Sequence, residues 1–238
     1  MKNLQILLAS IIVILISSCG NEVKKPKVSY DKDAKVKAKV DTTQIKVADL
    51  PINFEGTDYL IHPIGDLNTY DVGSKYESGS RGEYQGNFKV SNYNDFQITG
   101  YLRDLEFQKI GTDSVRSLTM KPVMIESATY LKSLADKSGQ QVILYTLSDT
   151  DSNNDLKLDE NDIKALYIST ISGDKFTKLS SDSRELLDWN IIESKSLLYF
   201  RTVEDTNKNG KFDKTDTLHY HFMPLTGKEW KVSEYNPI

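Results

Sequence analysis

Most of the chain beyond residue 50 shows the two-residue alternation of apolar and polar positions that is typical of β-strands. Such runs, rich in Tyr, Phe, Ile, Leu and Val, occur at 59–64, 88–90, 96–102, 142–147, 165–168, 197–203 and 218–223. One segment has helical spacing instead, carried by Ile125, Ala128, Leu131, Leu134 and Ala135. The pattern predicts a mainly β body with one short helix at 126–137, and a long Gly-, Ser- and Tyr-rich loop at 68–86.

The second half of the body contains an internal repeat. An apolar run at 142–145 leads into an acidic loop that begins at Asp149, and a similar run at 198–201 leads into a second loop that begins at Asp205. Each loop is followed by another apolar run, a glycine turn and an aromatic residue. The repeat units, 140–182 and 196–236, therefore predict antiparallel β-meanders that carry an acidic loop at the same place.

The first nineteen residues have the pattern of a bacterial lipoprotein signal. One lysine precedes an apolar run at 4–16, which is too short to span a bilayer, because a span needs about 20 apolar residues. The sequence Ile16-Ser17-Ser18-Cys19 then resembles the lipobox of bacterial lipoproteins. The resemblance implies that residues 1–18 are removed and that Cys19 carries diacylglycerol on its sulfur and an acyl chain on its amine. A plain secretory signal with an incidental cysteine is the alternative.

Charge divides the rest of the chain into two parts. Residues 20–50 hold eight lysines against five carboxylates, with little apolar periodicity and no aromatic residue except Tyr30, which predicts a disordered tether at 19–50. Residues 51–238 carry a net charge of −8. A basic tether near a lipid surface is electrostatically favourable, although an incidental soluble linker fits equally well. The whole chain has a net charge of −4, which disfavours a nucleic-acid partner, and its single cysteine excludes a disulfide scaffold.

The two acidic loops have the ligand spacing of calcium loops. The segment 149–160 resembles an EF-hand loop, and the second loop also resembles the calcium loops of thrombospondin type 3 repeats and dockerin-like modules. The resemblance implies two calcium sites, because calcium takes six to eight oxygen ligands and alternate residues of a tight coil aim their oxygens at one centre. The first set is Asp149, Asp151, Asn153, Asp155 and Glu160. The second set is Asp205, Asn207, Asn209, Lys211 (through its carbonyl), Asp213 and Asp216.

Two departures from the calcium-loop pattern affect this prediction. The first loop has Asn154 where glycine is expected, and the second closes with the short Asp216 instead of glutamate. The first loop nevertheless offers more carboxylates at positions 1, 3, 5 and 12, so we expect it to bind calcium more tightly. Strands flank both loops, which favours a structural role over a sensor role. Ordinary Asp- and Asn-rich hairpin turns are the alternative interpretation.

The repeat units also show a resemblance at the level of fold. The segment 166–180 resembles the strand–turn–strand of TolB-like β-propeller blades, and 100–119 resembles it more loosely. The resemblance implies repeated meanders in a propeller-like arrangement. The predicted helix fits poorly into a closed ring, so closure stays open.

Candidate catalytic chemistry is sparse. His219 and His221 alternate along a predicted strand, but zinc needs three or four ligands and no free cysteine remains, which favours a packed or exposed strand face over a metal site. Trp189 and Trp230 form either a binding face or core, and the repeat favours core. Distant carboxylate pairs of the glycosidase type stay open.

Three functions therefore remain. The first is a non-enzymatic, calcium-stabilised lipoprotein of the cell envelope, anchored in the outer membrane at its periplasmic or surface face, that binds another envelope protein or a polysaccharide. The absence of aspartate after Cys19, where Gly20 stands, favours the outer membrane. The second is a purely structural envelope component, and the third is a glycan-acting hydrolase.

Overall fold

The computed structural model describes residues 27–30, 44–68, 90–227 and 229–238. Cys19, the signal region 1–18 and the predicted loop from residue 69 onward lie outside these ranges. The described elements are fifteen strands and the helix α1 (Lys132–Ser138). Strands β1 to β15 are, in order, Gln44–Ala48, Ile52–Asn53, Tyr59–Asn68, Ser91–Asn94, Gln97–Leu102, Asp104–Lys109, Val115–Ser117, Met124–Tyr130, Val142–Ser148, Ala165–Thr170, Thr177–Lys178, Arg184–Ile192, Leu197–Glu204, Thr217–Pro224 and Ser233–Tyr235.

The strands form three antiparallel sheets. The first sheet has the order β1-β3-β6-β7, with β2 added to β3. The second has the order β11-β10-β9-β8-β5-β4, and the third has the order β12-β13-β14-β15. The prediction of a mainly β protein with antiparallel meanders is therefore confirmed. Among the described residues the sheets do not close into a ring.

The internal repeat corresponds to two consecutive four-stranded meanders. Strands β8 to β11 pair in sequence order in the second sheet, and β12 to β15 do the same in the third. In both, the acidic loop joins the second strand of the meander to the third. Helix α1 fills the connection between β8 and β9, where the other meander has only a tight turn between β12 and β13.

The second sheet is the middle layer between two apolar clusters. On β9, Ile143, Tyr145 and Leu147 join the cluster shared with the first sheet. Val142 and Leu144 face the other way, into the cluster shared with the third sheet. Because both faces of this strand are covered, six of its seven residues are buried. The layering fixes the register of β9, and with it the position where the first acidic loop begins.

The predicted helix at 126–137 is wrong in its first half. The chain continues as strand β8 to Tyr130, and α1 begins only at Lys132. A β-bulge between Ile125 and Ser127 shifts the alternation by one residue, so that Ile125 and Ala128 face the same cluster. This three-residue step on a strand has the same spacing as a helical turn. The predicted stop is confirmed, since Gly139 ends α1 in the left-handed conformation.

The predicted disordered tether at 19–50 is wrong in two places. Strand β1 pairs with β3 over its whole length, so the body begins at Gln44. Residues 27–30 lie against the two acidic loops, and Val28 is buried there. No helix among the described residues is long and apolar enough to cross a bilayer.

Candidate functional site: two acidic loops

The two acidic loops occupy equivalent places and share one set of hydrogen bonds. We number each loop from the aspartate that caps its first turn, so position 1 is Asp151 in loop 1 and Asp205 in loop 2. Position 12 is then Asp162 in loop 1 and Asp216 in loop 2. The offset between the loops is 54 residues throughout.

The aspartate at position 1 holds the turn that follows it. Asp151 accepts backbone N–H bonds from Asp155 (3.2 Å) and Leu156 (2.9 Å) on its two carboxylate oxygens. Asp205 accepts the same two bonds from positions 5 and 6 of loop 2, at 3.1 and 2.7 Å. A carboxylate oxygen has two lone pairs, so these bonds leave acceptor capacity on each aspartate.

The aspartate at position 12 closes each loop onto its beginning. Asp162 accepts N–H bonds from Ser152 (2.8 Å) and Asp159 (2.9 Å), which are positions 2 and 9. Asp216 accepts the same pair in loop 2, at 3.1 and 2.7 Å. Asp162 is fully buried, and desolvation raises its pKa although the backbone N–H groups oppose that shift. A buried carboxylate needs such compensation.

Side-chain turns and backbone angles also match between the loops. Asn153 at position 3 accepts the N–H of position 5 at 2.9 Å, and its counterpart Asn207 does so at 2.9 Å. Position 5 accepts the N–H of position 7 in both, at 3.0 and 2.8 Å. Positive φ angles occur at position 4 (58° and 56°) and at position 6, where Leu156 has 70° and Gly210 has 79°. The first loop therefore holds a leucine in a conformation that normally favours glycine.

The structure changes the assignment of residues in loop 1. Asp149 lies before position 1, where its carboxylate accepts hydrogen bonds from the Tyr167 hydroxyl (2.6 Å) and the Lys178 ammonium (2.7 Å). Glu160 falls at position 10 and is exposed. Asp149 and Glu160, predicted as the first and last ligands of this loop, therefore do not occupy the places of Asp205 and Asp216. Asp151 and Asp162 occupy those places, and the constant offset of 54 residues is the signal in the sequence that pairs them with Asp205 and Asp216.

The oxygens of these loops are hard donors suited to calcium, but they are not gathered around one centre. Among the described residues no three Asp, Glu, His or Cys side chains form a group that could hold a metal ion. The loop oxygens instead accept backbone N–H groups. In the loop 2 set, Lys211 stands at position 7 and is exposed.

A second feature is an open groove of about 750 Å³ beside the edge strand β12. Polar residues of the second sheet, among them Ser127 and Thr146, line this groove together with the rings of Tyr101 and Trp189. Its carboxylates have cationic partners, and these ion pairs are Glu126 with Lys164 (2.6 Å), Glu185 with Lys27 (2.5 Å), and Asp188 with Arg201. The groove is therefore polar, and each of these three carboxylates has its negative charge balanced by a neighbouring lysine or arginine.

The histidines and tryptophans that the sequence analysis considered have structural partners. His219 contacts Glu234 (2.6 Å) and Glu204 (3.2 Å). His221 is buried, hydrogen-bonded to Thr202 at 3.1 Å and stacked on Phe200, and burial lowers its pKa. Trp189 and Trp230 pack against the cluster between the second and third sheets. The histidine contacts agree with the expectation of a strand face without a metal role, and the two tryptophans are half-buried, with Trp189 packed against this cluster and also lining the groove.

Comparisons with known proteins do not identify this chain. No protein-family model matches it, and neither a curated protein nor a solved structure is significantly similar to it.

Proposed function

We propose that this protein is a lipid-anchored module of the bacterial cell envelope, whose β-repeats are stabilised by calcium and whose role is to bind a partner. Cys19 would carry the lipid, and the outer membrane would hold the anchor. The observation that carries the calcium part of the proposal is the matched ring of hydrogen bonds in the two loops. Ordinary hairpin turns of different sequence have no reason to repeat an eleven-residue closure from position 2 to position 12 with the same donors and acceptors.

Oxygen atoms of both loops would hold the ions. In loop 1 the donors are the side chains of Asp151, Asn153, Asp155, Asp159 and Asp162, with the carbonyl of Lys157. In loop 2 they are the side chains of Asp205, Asn207, Asn209, Asp213 and Asp216, with the carbonyl of Lys211. Loop 1 offers four carboxylates and loop 2 offers three, so loop 1 binds calcium more tightly. In each loop the bound ion neutralises the carboxylates and links the beginning of the loop to its end.

The groove beside β12 is the surface we assign to the partner, either an envelope protein or a polysaccharide. It combines hydroxyl groups with two aromatic rings and carries little uncompensated charge. A glycan-acting hydrolase is the second candidate, because Glu126 and Glu185 both line this groove. Binding is favoured, since both carboxylates are paired with lysines and a glycosidase needs one carboxylic acid protonated. A propeller-like arrangement of the repeat units is also part of this proposal. The two successive four-stranded meanders support it.

The test is thermal unfolding of the purified protein with calcium and with EDTA. A ligand that binds only the folded state stabilises it by RT ln(1 + [L]/Kd), about 2.7 kcal/mol at a hundredfold excess over Kd. We expect calcium to raise Tm and EDTA to reverse the shift, while magnesium at the same concentration has a smaller effect. Identical melting curves in calcium and EDTA would refute the calcium part of the proposal.

A further inference from the structure

Strand β12 is an edge of the third sheet, and open space follows it along its length. The groove of about 750 Å³ lies beside its first half, and a second cavity of about 340 Å³ lies beside its second half. Trp189 lines both cavities, and the opposite wall of both comes from the β5, β8 and α1 region. We call the two cavities together the edge groove. A strand edge beside an open groove is the arrangement to which an extended segment can add.

The pairing of β12 with β13 shows which backbone groups of β12 face the edge groove. In an antiparallel sheet each residue aims its N–H and C=O groups at one neighbouring strand, and successive residues alternate. Pro224 of β14 stands opposite Leu197 and has no N–H, so Leu197 aims its backbone groups at β12. Its partner in β12 is Ile192, which therefore faces β13. By alternation the backbone groups of Ile191 and Trp189 face away from β13, towards the edge groove.

The backbone groups of Trp189 and Ile191 are unused by the part of the chain that the structure describes. Earlier in the strand, Leu186 donates its N–H to the carbonyl of Lys164 at 2.8 Å, so a neighbouring segment already bonds to this edge at its beginning. No described residue makes such a bond to Trp189 or Ile191. The two residues thus offer two donors and two acceptors, about 6.8 Å apart along the strand. An added strand has the matching groups at the same spacing.

The charges of the edge groove favour an uncharged occupant. Each charged side chain that lines it, among the described residues, already has an oppositely charged partner in the protein. A charged occupant would be desolvated in the groove without a partner of its own, which is costly. The pairs are Glu126 with Lys164, Glu185 with Lys27, Asp188 with Arg201, Lys132 with Asp136, and Glu193 with Lys137.

Aliphatic side chains favour a peptide over a polysaccharide in the edge groove. Leu187 on β12 is 45% exposed and lines the first cavity, and Leu131, Leu134 and Ile191 line the second. These groups suit the apolar side chains that an extended peptide presents at alternate positions. A polysaccharide has no row of N–H and C=O groups that could pair with the edge of a sheet.

We propose that the edge groove binds an extended, uncharged peptide segment of a partner protein, which adds to β12 as a further strand. This inference rests on the proposed assignment of the groove to a partner, and it commits that partner to a protein. The backbone groups of Trp189 and Ile191 hold the main chain of the segment. The aliphatic groups select apolar side chains at alternate positions of the segment.

The first experiment selects ligands from a library of random heptapeptides on the purified full chain, and calorimetry gives the Kd of the enriched peptides. We expect these peptides to be uncharged, with apolar residues at alternate positions. An added strand bonds to its neighbour only through alternate residues. N-methylation of one alternate set of peptide amides should therefore abolish binding, and N-methylation of the other set should leave the Kd nearly unchanged.

Two variants of the protein locate the bound peptide. Ile191→Pro removes an N–H that faces the groove and keeps the ladder bonds to β13, as an edge strand permits. We expect it to bind peptide about three- to tenfold more weakly than Ile191→Ala, which also loses the isoleucine side chain but keeps the N–H. Ser127→Arg narrows the groove from the side of β8 and should abolish binding, whereas the exposed control Ser181→Arg should not. The N-methylated peptides test the same point on the unmodified protein if Ile191→Pro does not fold.

The outcomes separate this inference from the proposed function. If no peptide is enriched, or if both sets of N-methyl groups act equally, strand addition is refuted. Chitohexaose, a neutral glycan, is titrated in parallel. If it binds and Ser127→Arg abolishes that binding while no peptide binds, the groove is a partner site for a polysaccharide, so only this inference fails. If neither ligand binds, the assignment of the groove to a partner fails as well.

Discussion

The two neighbouring aspartates Asp149 and Asp151 have different structural roles, and a pair of substitutions separates them. Asp149 is 20% exposed in its side chain and binds Lys178 and Tyr167, which makes it a structural ion-pair partner. Asp151 caps the first turn of loop 1 and is the residue equivalent to Asp205. Asp149→Asn should therefore lower the free energy of unfolding without changing calcium affinity. Asp151→Asn should abolish calcium binding at loop 1.

The magnitude for Asp149 follows from its two hydrogen bonds. Bonds that involve a charged group contribute about 1.5–3 kcal/mol each, and asparagine can still accept one of them more weakly. Lys178 also keeps its second partner, Asp182, at 2.6 Å. We therefore expect a loss of about 2 kcal/mol. For a protein of this size that corresponds to a Tm lower by about 4–8 °C, equally in calcium and in EDTA.

The pH dependence of stability provides a second test of the contribution estimated for Asp149. Burial alone would raise the pKa of Asp149, but hydrogen bonds from Lys178 and Tyr167 hold that pKa below its ordinary value. A lowered pKa in the folded state means that the stabilisation is present above the ordinary carboxyl pKa and disappears as the pH falls through the folded pKa. The difference in stability between the unmodified protein and Asp149→Asn should therefore shrink in acid.

The assay is chemical unfolding and calcium calorimetry of both variants side by side. Asp151→Asn should cost about 1 kcal/mol in EDTA, because it weakens two backbone caps, and it should remove one binding event from the calorimetric titration. If Asp149→Asn removes a binding event while Asp151→Asn leaves the titration unchanged, our assignment of loop positions is wrong.

Three further predictions follow from other parts of the structure. Gly173→Ala should destabilise the fold by about 2 kcal/mol in urea unfolding, because Gly173 has a φ of 78° and an added Cβ would lie 2.7 Å from the ring of Phe107; an unchanged midpoint would contradict this packing. His221→Gln should flatten the loss of stability below about pH 6.5, because burial lowers the pKa of His221 and proton uptake then favours the unfolded state; an unchanged pH slope would assign that loss elsewhere. Cys19→Ser should move the protein from the membrane fraction to the soluble fraction on cell fractionation, and retention in the membrane would refute lipid anchoring.

Much of the β architecture could be predicted from hydrophobic alternation. Predicted runs at 59–64, 96–102, 142–147 and 218–223 fall within or nearly coincide with strands β3, β5, β9 and β14. The alternation could not predict the bulge in β8. One inserted residue there gives a strand the spacing of apolar residues that is typical of a helix. The alternation also could not predict that residues 27–30 bind the body, since their partners are 123 to 183 positions away in the sequence.

The acidic loops were recognisable, but the position of loop 1 was not fixed by the spacing alone. Asp149 and Asp151 both begin an alternating acidic series, and only the contacts with Tyr167 and Lys178 show that Asp149 has another partner. Loop 2 has a glycine at position 6, which fixes its numbering from the sequence. Loop 1 has Leu156 there, at a φ of 70°, and a leucine gives no such signal.

If Cys19 carries a lipid, as proposed, the contacts of residues 27–30 with the body limit how far the body can lie from the bilayer. Lys27 lies eight positions after Cys19, and an extended chain spans at most about 3.3–3.6 Å per position, or about 26–29 Å in total. If the chain first met the body at Gln44, the limit would be about 80–90 Å. A lipid on Cys19 would therefore keep the two acidic loops within about 30 Å of the headgroups, and release of residues 27–30 from the body would roughly triple that limit.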